Sequence, residues 1–232
     1  MATLAVIPAR GGSKRIPKKN SKLFLGKPII QYSIEAAQAT NLFDEILVST
    51  DDQQIADLAV KLGAKVPFLR TAKNSNDFAT LANVLEEVIE QYASLNKHFD
   101  TICLLLPTAP FITQKNIVEA YHLLLQDSVS AVIPVLRFSY PIQRALYLNK
   151  EEKLAMIWPE NINTRSQDLP ASFHDSGQFY WVKTKDFLKE KRLFMANSKA
   201  IELSQTQVQD IDTEDDWQMA ELKYKLLSIQ KP

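Results

Sequence analysis

Arg10, Lys14, Arg15, Lys18 and Lys19 put five positive charges into ten residues near the start of the chain. Such density calls for a ligand with several negative charges, such as a polyphosphate, held by charge-assisted hydrogen bonds. Gly11 and Gly12 lie among these residues, two of only five glycines in the sequence. Glycine lets a backbone turn sharply and come close to a ligand, and successive N–H groups in such a turn form an anion-binding nest. Neither standard nucleotide loop is present: GxGxxG lacks its third glycine, and GxxxxGK(S/T) lacks its helix-opening lysine. A charge run alone reads as a solvated surface loop. This one follows a short apolar run, Thr3 to Ile7, closed by Pro8, and that placement favours phosphate binding.

A second group of chemically able residues lies far along the chain. Asp210 and Asp212 are two positions apart, so in an extended segment both carboxylates leave the same face. Two carboxylates on one face suit a hard cation such as Mg²⁺, which also bridges phosphates. The competing reading makes Asp212 to Asp216 a helix start, with Thr213 as cap and acidic groups at the positive end of the helix dipole. Residue types alone leave the two readings balanced. His174 with Asp175, and Arg165 as a bidentate carboxylate binder, are further polar candidates. A lone histidine is more often structural, orienting a neighbour or a loop.

These groups need a scaffold to bring them together. Strands are expected at Thr3–Ile7, Glu45–Thr50, Val66–Arg70, Asp100–Leu106 and Ser130–Leu136, with later ones at Gln178–Val182, Lys199–Leu203 and Gln207–Ile211. Helices are expected after Pro28, over Asp51–Gly63, Leu81–Leu95 and Ile112–Gln126, and from Thr213 to about Ile229. The alternation predicts an α/β fold with a mostly parallel sheet covered on both faces, and ligands beyond the carboxyl ends of its strands. From 138 to 170 the rhythm breaks into proline- and aromatic-rich sequence, read as a protruding arm on a single domain spanning 1–232. The 232 residues are 46% hydrophobic and carry zero net charge, so a core is expected and a nucleic-acid partner is not. No apolar run of 18 residues suggests a membrane span, and no leader pattern opens the chain. The single cysteine, Cys103, sits in an apolar run, which suits a reducing cytoplasm and an inert thiol rather than a nucleophile.

Arg10 to Arg15 followed by Lys19-Asn20, then Ser49-Thr50-Asp51-Asp52, Leu106 to Pro110 and Asp210-Ile211-Asp212, resemble in order the motifs of the acylneuraminate cytidylyltransferases, the CMP–sialic acid synthetases and their bacterial relatives. The stretches Arg165 to Pro170 and His174 to Trp181 resemble most the pseudaminic acid branch. The resemblance implies a three-layer Rossmann-like nucleotidyltransferase fold whose arm joins a homodimer. It implies an enzyme that transfers CMP from CTP to a nine-carbon acidic sugar with Mg²⁺ as cofactor. No covalent intermediate is needed, so positioning and charge stabilisation carry the reaction. It assigns Arg10 and Lys19 to the triphosphate, with Lys19 at the α-phosphate. Ala9, Gly11, Gly12, Ser13 and Asn20 shape the nucleotide loop, joined by Pro107 and Thr108. Arg70 and Thr80 are expected near cytosine, with Asp77 between them as nucleotide contact or helix cap. Asp210 and Asp212 become the metal pair, and Thr213 to Asp216 the cap. The sugar is expected against Leu106, Arg165, Gln167, His174, Asp175, and also Gln178 and Tyr180. Leu106 stands where sialic acid enzymes often carry a sugar-contacting glutamine, which points away from sialic acid. Alternatives are the same reaction on neuraminic, legionaminic or ketodeoxyoctonic acid, a nucleotide-sugar glycosyltransferase, or a non-catalytic nucleotide sensor. A glycosyltransferase calls for a mid-chain Asp-x-Asp, and none precedes Asp210.

Overall fold

A computed structural model describes residues 1–229. Strand β1 (Thr3–Pro8) leads into the basic loop, which ends in a small hairpin, β2 (Leu23–Phe24) and β3 (Lys27–Pro28), before helix α1 (Ile29–Thr40). There follow β4 (Glu45–Ser49), α2 (Gln53–Lys61), α3 (Leu81–Ser94), β5 (Thr101–Leu105), α4 (Gln114–Leu124) and β6 (Ala131–Arg137). The arm carries an exposed hairpin, β7 (Leu146–Leu148) with β8 (Leu154–Met156). The chain then returns through β9 (Phe173–Asp175), β10 (Phe179–Lys183), α5 (Thr184–Glu190), β11 (Ser198–Glu202) and α6 (Glu214–Ile229).

The main sheet has the order β11-β6-β10-β5-β1-β4, with β9 also paired to β6. Strands β1, β4, β5, β6 and β11 run one way, and β9 and β10 run against them. Side chains on a strand alternate between faces, and β1 divides accordingly. Ala5 and Ile7 pack with α1, α2 and α4 through Ile34, Ile55 and Ile117. Leu4 and Val6 pack on the other face with α3 and α5 through Val88, Tyr92 and Phe187. The result is the expected three-layer α/β arrangement. Trp181 on β10 is fully buried, and its indole N–H donates to the Ile117 carbonyl of α4 at 3.1 Å, which ties strand to helix.

Two expected strands are absent. Val66–Arg70 forms no strand: Lys65 before it bridges Leu47 and Arg70 at its end donates its N–H to the Thr50 carbonyl at 2.8 Å, but Pro67 between them lacks the N–H that a ladder needs. Gln207–Ile211 is an irregular crossing segment: Gln178 Nε2 donates to the Gln207 carbonyl at 2.6 Å and Lys223 Nζ to that of Val208 at 3.0 Å. Side chains here satisfy backbone groups that a neighbouring strand otherwise would.

A third apolar cluster governs the site. Ile16 of the basic loop, Phe24, Ile29, Ile211 and Trp217 pack together, with Phe24 edge-on to Tyr32, Trp217 and Tyr224. The cluster fastens the basic loop and the Asp210 segment to α1 and α6. Fully burying residues such as Ile16 or Ile211 contributes roughly 1.5–3 kcal/mol each.

Candidate active site

The basic loop lies at the carboxyl end of β1. Gly11 is required by packing: a Cβ there would come within 2.7 Å of an Asp52 carboxylate oxygen. Its N–H donates to Asp51 Oδ1 at 2.9 Å, and Asp52 caps α2 through the N–H groups of Gln54 and Ile55. The Ser49 to Asp52 motif thus shapes the loop. Gly12 faces open space, and the Ala9 N–H is held by the Ser49 carbonyl at 2.8 Å. Lys18 is left-handed at φ 53°, and it turns the chain so that Lys19 points inward. Asn20 is buried and donates to the Arg10 carbonyl at 2.8 Å.

These turns create a basic cleft of about 380 Å³. Arg10, Ser13, Lys14, Arg15 and Lys19 line it, and Asn20, Asp77, Pro107 and Thr108 are among its other walls. Asp77 binds Arg10 at 2.8 Å and Lys14 at 2.5 Å. The Lys14 hydrogen bond, followed by that from Arg10, holds its carboxyl below the usual aspartate range. Asp77 therefore balances the loop's charge and does not cap a helix. That cap is Thr80, whose hydroxyl accepts from the Asn83 N–H while Asn83 Oδ1 accepts from the Thr80 N–H. Arg70 is buried beside the end of β4, its N–H donating to the Thr50 carbonyl at 2.8 Å and its Nε to Ser49 Oγ at 3.0 Å. Desolvation draws its pKa down to about 10. Arg70 and Thr80 were both expected near cytosine: Arg70 is buried against the scaffold, Thr80 is exposed and caps α3, and neither is among the residues that line the basic cleft.

Asp210 and Asp212 flank the buried Ile211, so both carboxylates face outward, as the two-residue spacing required. Asp212 pairs with Arg15 at 2.7 Å and with Lys19 at 3.5 Å. Lys19 Nζ also donates to the Ile211 carbonyl at 2.5 Å. Although Asp210 borders solvent, crowding around its carboxyl strips water and raises its pKa. The nearby charges of Asp212 and Asp216 add to the shift, and Lys19 opposes it. Thr213 and Asp216 form the reciprocal cap of α6: Asp216 accepts from the Thr213 N–H at 2.8 Å and returns its own N–H to the Thr213 hydroxyl at 3.2 Å. The acidic stretch divides in two, with Asp210 and Asp212 facing Lys19 and Thr213 to Asp216 starting the helix.

A second cleft of about 590 Å³ lies beside the first. Leu106, Leu136, His174, Asp175, Tyr180 and Asp210 are among its walls. Tyr180 donates to Asp175 Oδ2 at 2.5 Å, while Asp175 Oδ1 accepts from the Gly177 N–H at 2.9 Å. Burial, then that Asp175 bond, pushes the Tyr180 phenol well above its ordinary range, so it stays a donor. Gly177, at φ 63°, supplies the kink between β9 and β10 that this arrangement needs. The two clefts share a wall: Leu106 lines one, while Pro107 and Thr108 line the other, and Lys19 and Asp210 stand between them.

Gln178 is buried and holds the crossing segment instead of lining the cleft. Arg165 and Gln167 stand apart on the arm. The Arg165 side chain is 72% exposed and bonds Asp168 at 2.7 Å. Sequence reading missed Ser176, Gln205, Gln209 and Lys223, which all line the second cleft. Lys223 left a faint signal: Trp217, Ala220 and Tyr224 mark the packed face of α6, and Lys223 falls on its edge.

The cytidylyltransferase family model matches residues 4–226. Pseudaminic acid cytidylyltransferase of Campylobacter jejuni is 42% identical over 226 residues, covering 97% of each chain. CMP-N,N'-diacetyllegionaminic acid synthase of Legionella pneumophila is 33% identical, covering 100% of this chain and 98% of the other. Among solved structures, a CMP:2-keto-3-deoxy-manno-octonic acid synthetase complexed with CTP superposes with a TM-score of 0.72 at 18% identity, over 97% of this chain and 99% of its own. The chain belongs to the cytidylyltransferase family and is a nucleotidyltransferase.

Proposed function

We propose that this chain transfers CMP from CTP to the anomeric hydroxyl of pseudaminic acid, releasing pyrophosphate. The observation that carries the reading is the meeting of a basic cleft and a polar cleft at Lys19 and Asp210. The 42% identity to a pseudaminic acid cytidylyltransferase over nearly the whole chain supports the choice of sugar. Arg10, Lys14 and Arg15 bind the triphosphate in the first cleft, releasing the carboxylates that occupy them in the free protein. The sugar lies in the second, with Tyr180 and Asp175 reading its polar groups and Leu106 against an apolar edge. Its anomeric hydroxyl oxygen then attacks the α-phosphorus and gives up its proton to solvent, while the electron pair of the breaking P–O bond leaves with pyrophosphate. Lys19, preorganised between the clefts, stabilises charge on the α-phosphoryl oxygens.

The donor set at Asp210 and Asp212 fits a hard cation: two oxygen ligands on one face, mutually repelling, with Asp212 balanced by Arg15 and Lys19. These two residues would hold Mg²⁺, which when bound offsets the negative charge of the triphosphate. A homodimer accords with the apolar surface of the arm, where Leu148, Leu154 and Ile157 are exposed. A cytoplasmic setting accords with the lone, buried Cys103. Incubation with pseudaminic acid, Mg²⁺ and each nucleoside triphosphate in turn, followed by mass spectrometry, tests the reading. A CMP–sugar adduct from CTP is expected; a diphosphate-linked sugar, or no sugar-dependent product, would refute it.

A further inference from the structure

Lys223 lines the second cleft from α6, and no family motif of the sequence contains it. It is the one lysine or arginine among the described residues that line this cleft. Its ammonium donates to the carbonyls of Val208 at 3.0 Å and Gln205 at 3.4 Å. Among the described residues it makes no ion pair, unlike Lys19, Lys22 or Arg15. Burial without a neighbouring carboxylate draws its pKa below the ordinary lysine value. A half-buried ammonium resting on two neutral carbonyls has given up water without gaining a counter-charge, and an anion arriving in the cleft restores it.

The proposed substrate brings such an anion. Its carboxylate is bonded to the same carbon as the reacting hydroxyl, so it enters the cleft that Asp210 borders. The other charged walls, Asp175 and Asp210, are acidic and repel it. Arg165, the arginine that sequence reading favoured for this task, is paired with Asp168 on the arm. Resting on the proposed function, we infer that Lys223 is the specificity-determining cation of the sugar cleft, donating its remaining N–H to the carboxylate of the sugar acid. The two carbonyl bonds fix the ammonium in advance, so the contact forms with little loss of side-chain freedom. The residue accordingly selects sugar acids over neutral sugars of the same ring.

The test is Lys223→Met and Lys223→Arg in the full chain, with steady-state kinetics on the preferred sugar acid and on its carboxamide. Loss of one charge-assisted hydrogen bond predicts a rise of about 10- to 100-fold in the KM for the acid in Lys223→Met. The KM for CTP should stay unchanged and Lys223→Arg should recover part of the loss. The carboxamide should be turned over equally by wild type and Lys223→Met. If Lys223 only clamps the crossing segment, both KM values rise together, or acid and carboxamide suffer alike, and the inference fails. An unchanged KM for the acid overturns it as well. Absence of sugar-dependent turnover in the wild type refutes the proposed function and the inference with it, and is distinct because it appears before any variant is compared.

Discussion

Replacing Lys19 with methionine keeps the volume of the side chain and removes its charge. In the free protein the ammonium contacts the Ile211 carbonyl at 2.5 Å and lies 3.5 Å from Asp212, with the side chain only 18% exposed. Unit charges at that separation attract by about 5 kcal/mol at an effective dielectric near 20. Desolvation of the two groups cancels most of this in the ground state. A transition state that gathers charge on the α-phosphoryl oxygens gains from the same fixed ammonium without new reorganisation. Deleting one preorganised donor costs about 2.7–4 kcal/mol, or roughly 100- to 1000-fold in kcat. Folding loses only the bond to Ile211, about 1 kcal/mol, a fall of roughly 2–4 °C in Tm. Arg10, Lys14 and Arg15 remain, so CTP still binds. Pyrophosphate release at saturating CTP and sugar measures kcat, and calorimetry measures CTP binding. A kcat within about threefold of wild type, with CTP bound normally, would refute the role given to Lys19.

Asp210→Asn should reduce Mg²⁺-supported turnover by at least about 100-fold while circular dichroism stays unchanged; chelation of Mg²⁺ by EDTA should stop the wild type reversibly. Glu45→Gln tests a buried structural cluster. Glu45 accepts from the Tyr92 hydroxyl and from Lys65 and Lys97 at 3.1 and 3.0 Å. Burial alone would raise its pKa, but these hydrogen bonds and charges more than offset that, leaving it lowered. A carboxyl lowered on folding stabilises the protein above its unfolded pKa, and the gain fades as pH falls through the folded value. Glu45→Gln should thus lose about 1–2 kcal/mol at pH 7, roughly 2–8 °C in Tm, and match wild type in strong acid; a pH-independent difference in thermal melts would contradict the assignment. Leu148 and Leu154 face each other across the arm hairpin; the proposed homodimer predicts that the wild type sediments as a dimer in sedimentation velocity and that changing both to aspartate leaves a monomer.

Much of the fold was legible because the sequence repeats one physical signal. Leu4 to Ile7 is apolar at every position, as a strand covered on both faces requires, and each of these residues is buried in β1. For Asp210 and Asp212 spacing left a carboxylate pair and a helix start balanced, and only the family motif separated them from the cap at Thr213 to Asp216; in the structure Ile211 between them is buried. The losses have equally local causes. Pro67 breaks a run that looks strand-like by composition, and the run at 207–211 finds side-chain partners that no periodicity encodes. Arg70 was read from the end of an expected strand and from the family resemblance, neither of which carries information about its burial against Ser49. Lys223 reaches its cleft only through the packing of α6 against Ile16 and Phe24, a tertiary event some two hundred residues removed in sequence.

The most direct measurement is kcat/KM for pyrophosphate release with CTP and Mg²⁺ across pseudaminic, legionaminic and N-acetylneuraminic acids. Turnover of pseudaminic acid at least about tenfold more efficient than the others is expected. A preference for another acid would leave the chemistry at Lys19 standing and contradict the choice of sugar. Absence of turnover with all three, while CTP still binds, would contradict the central claim.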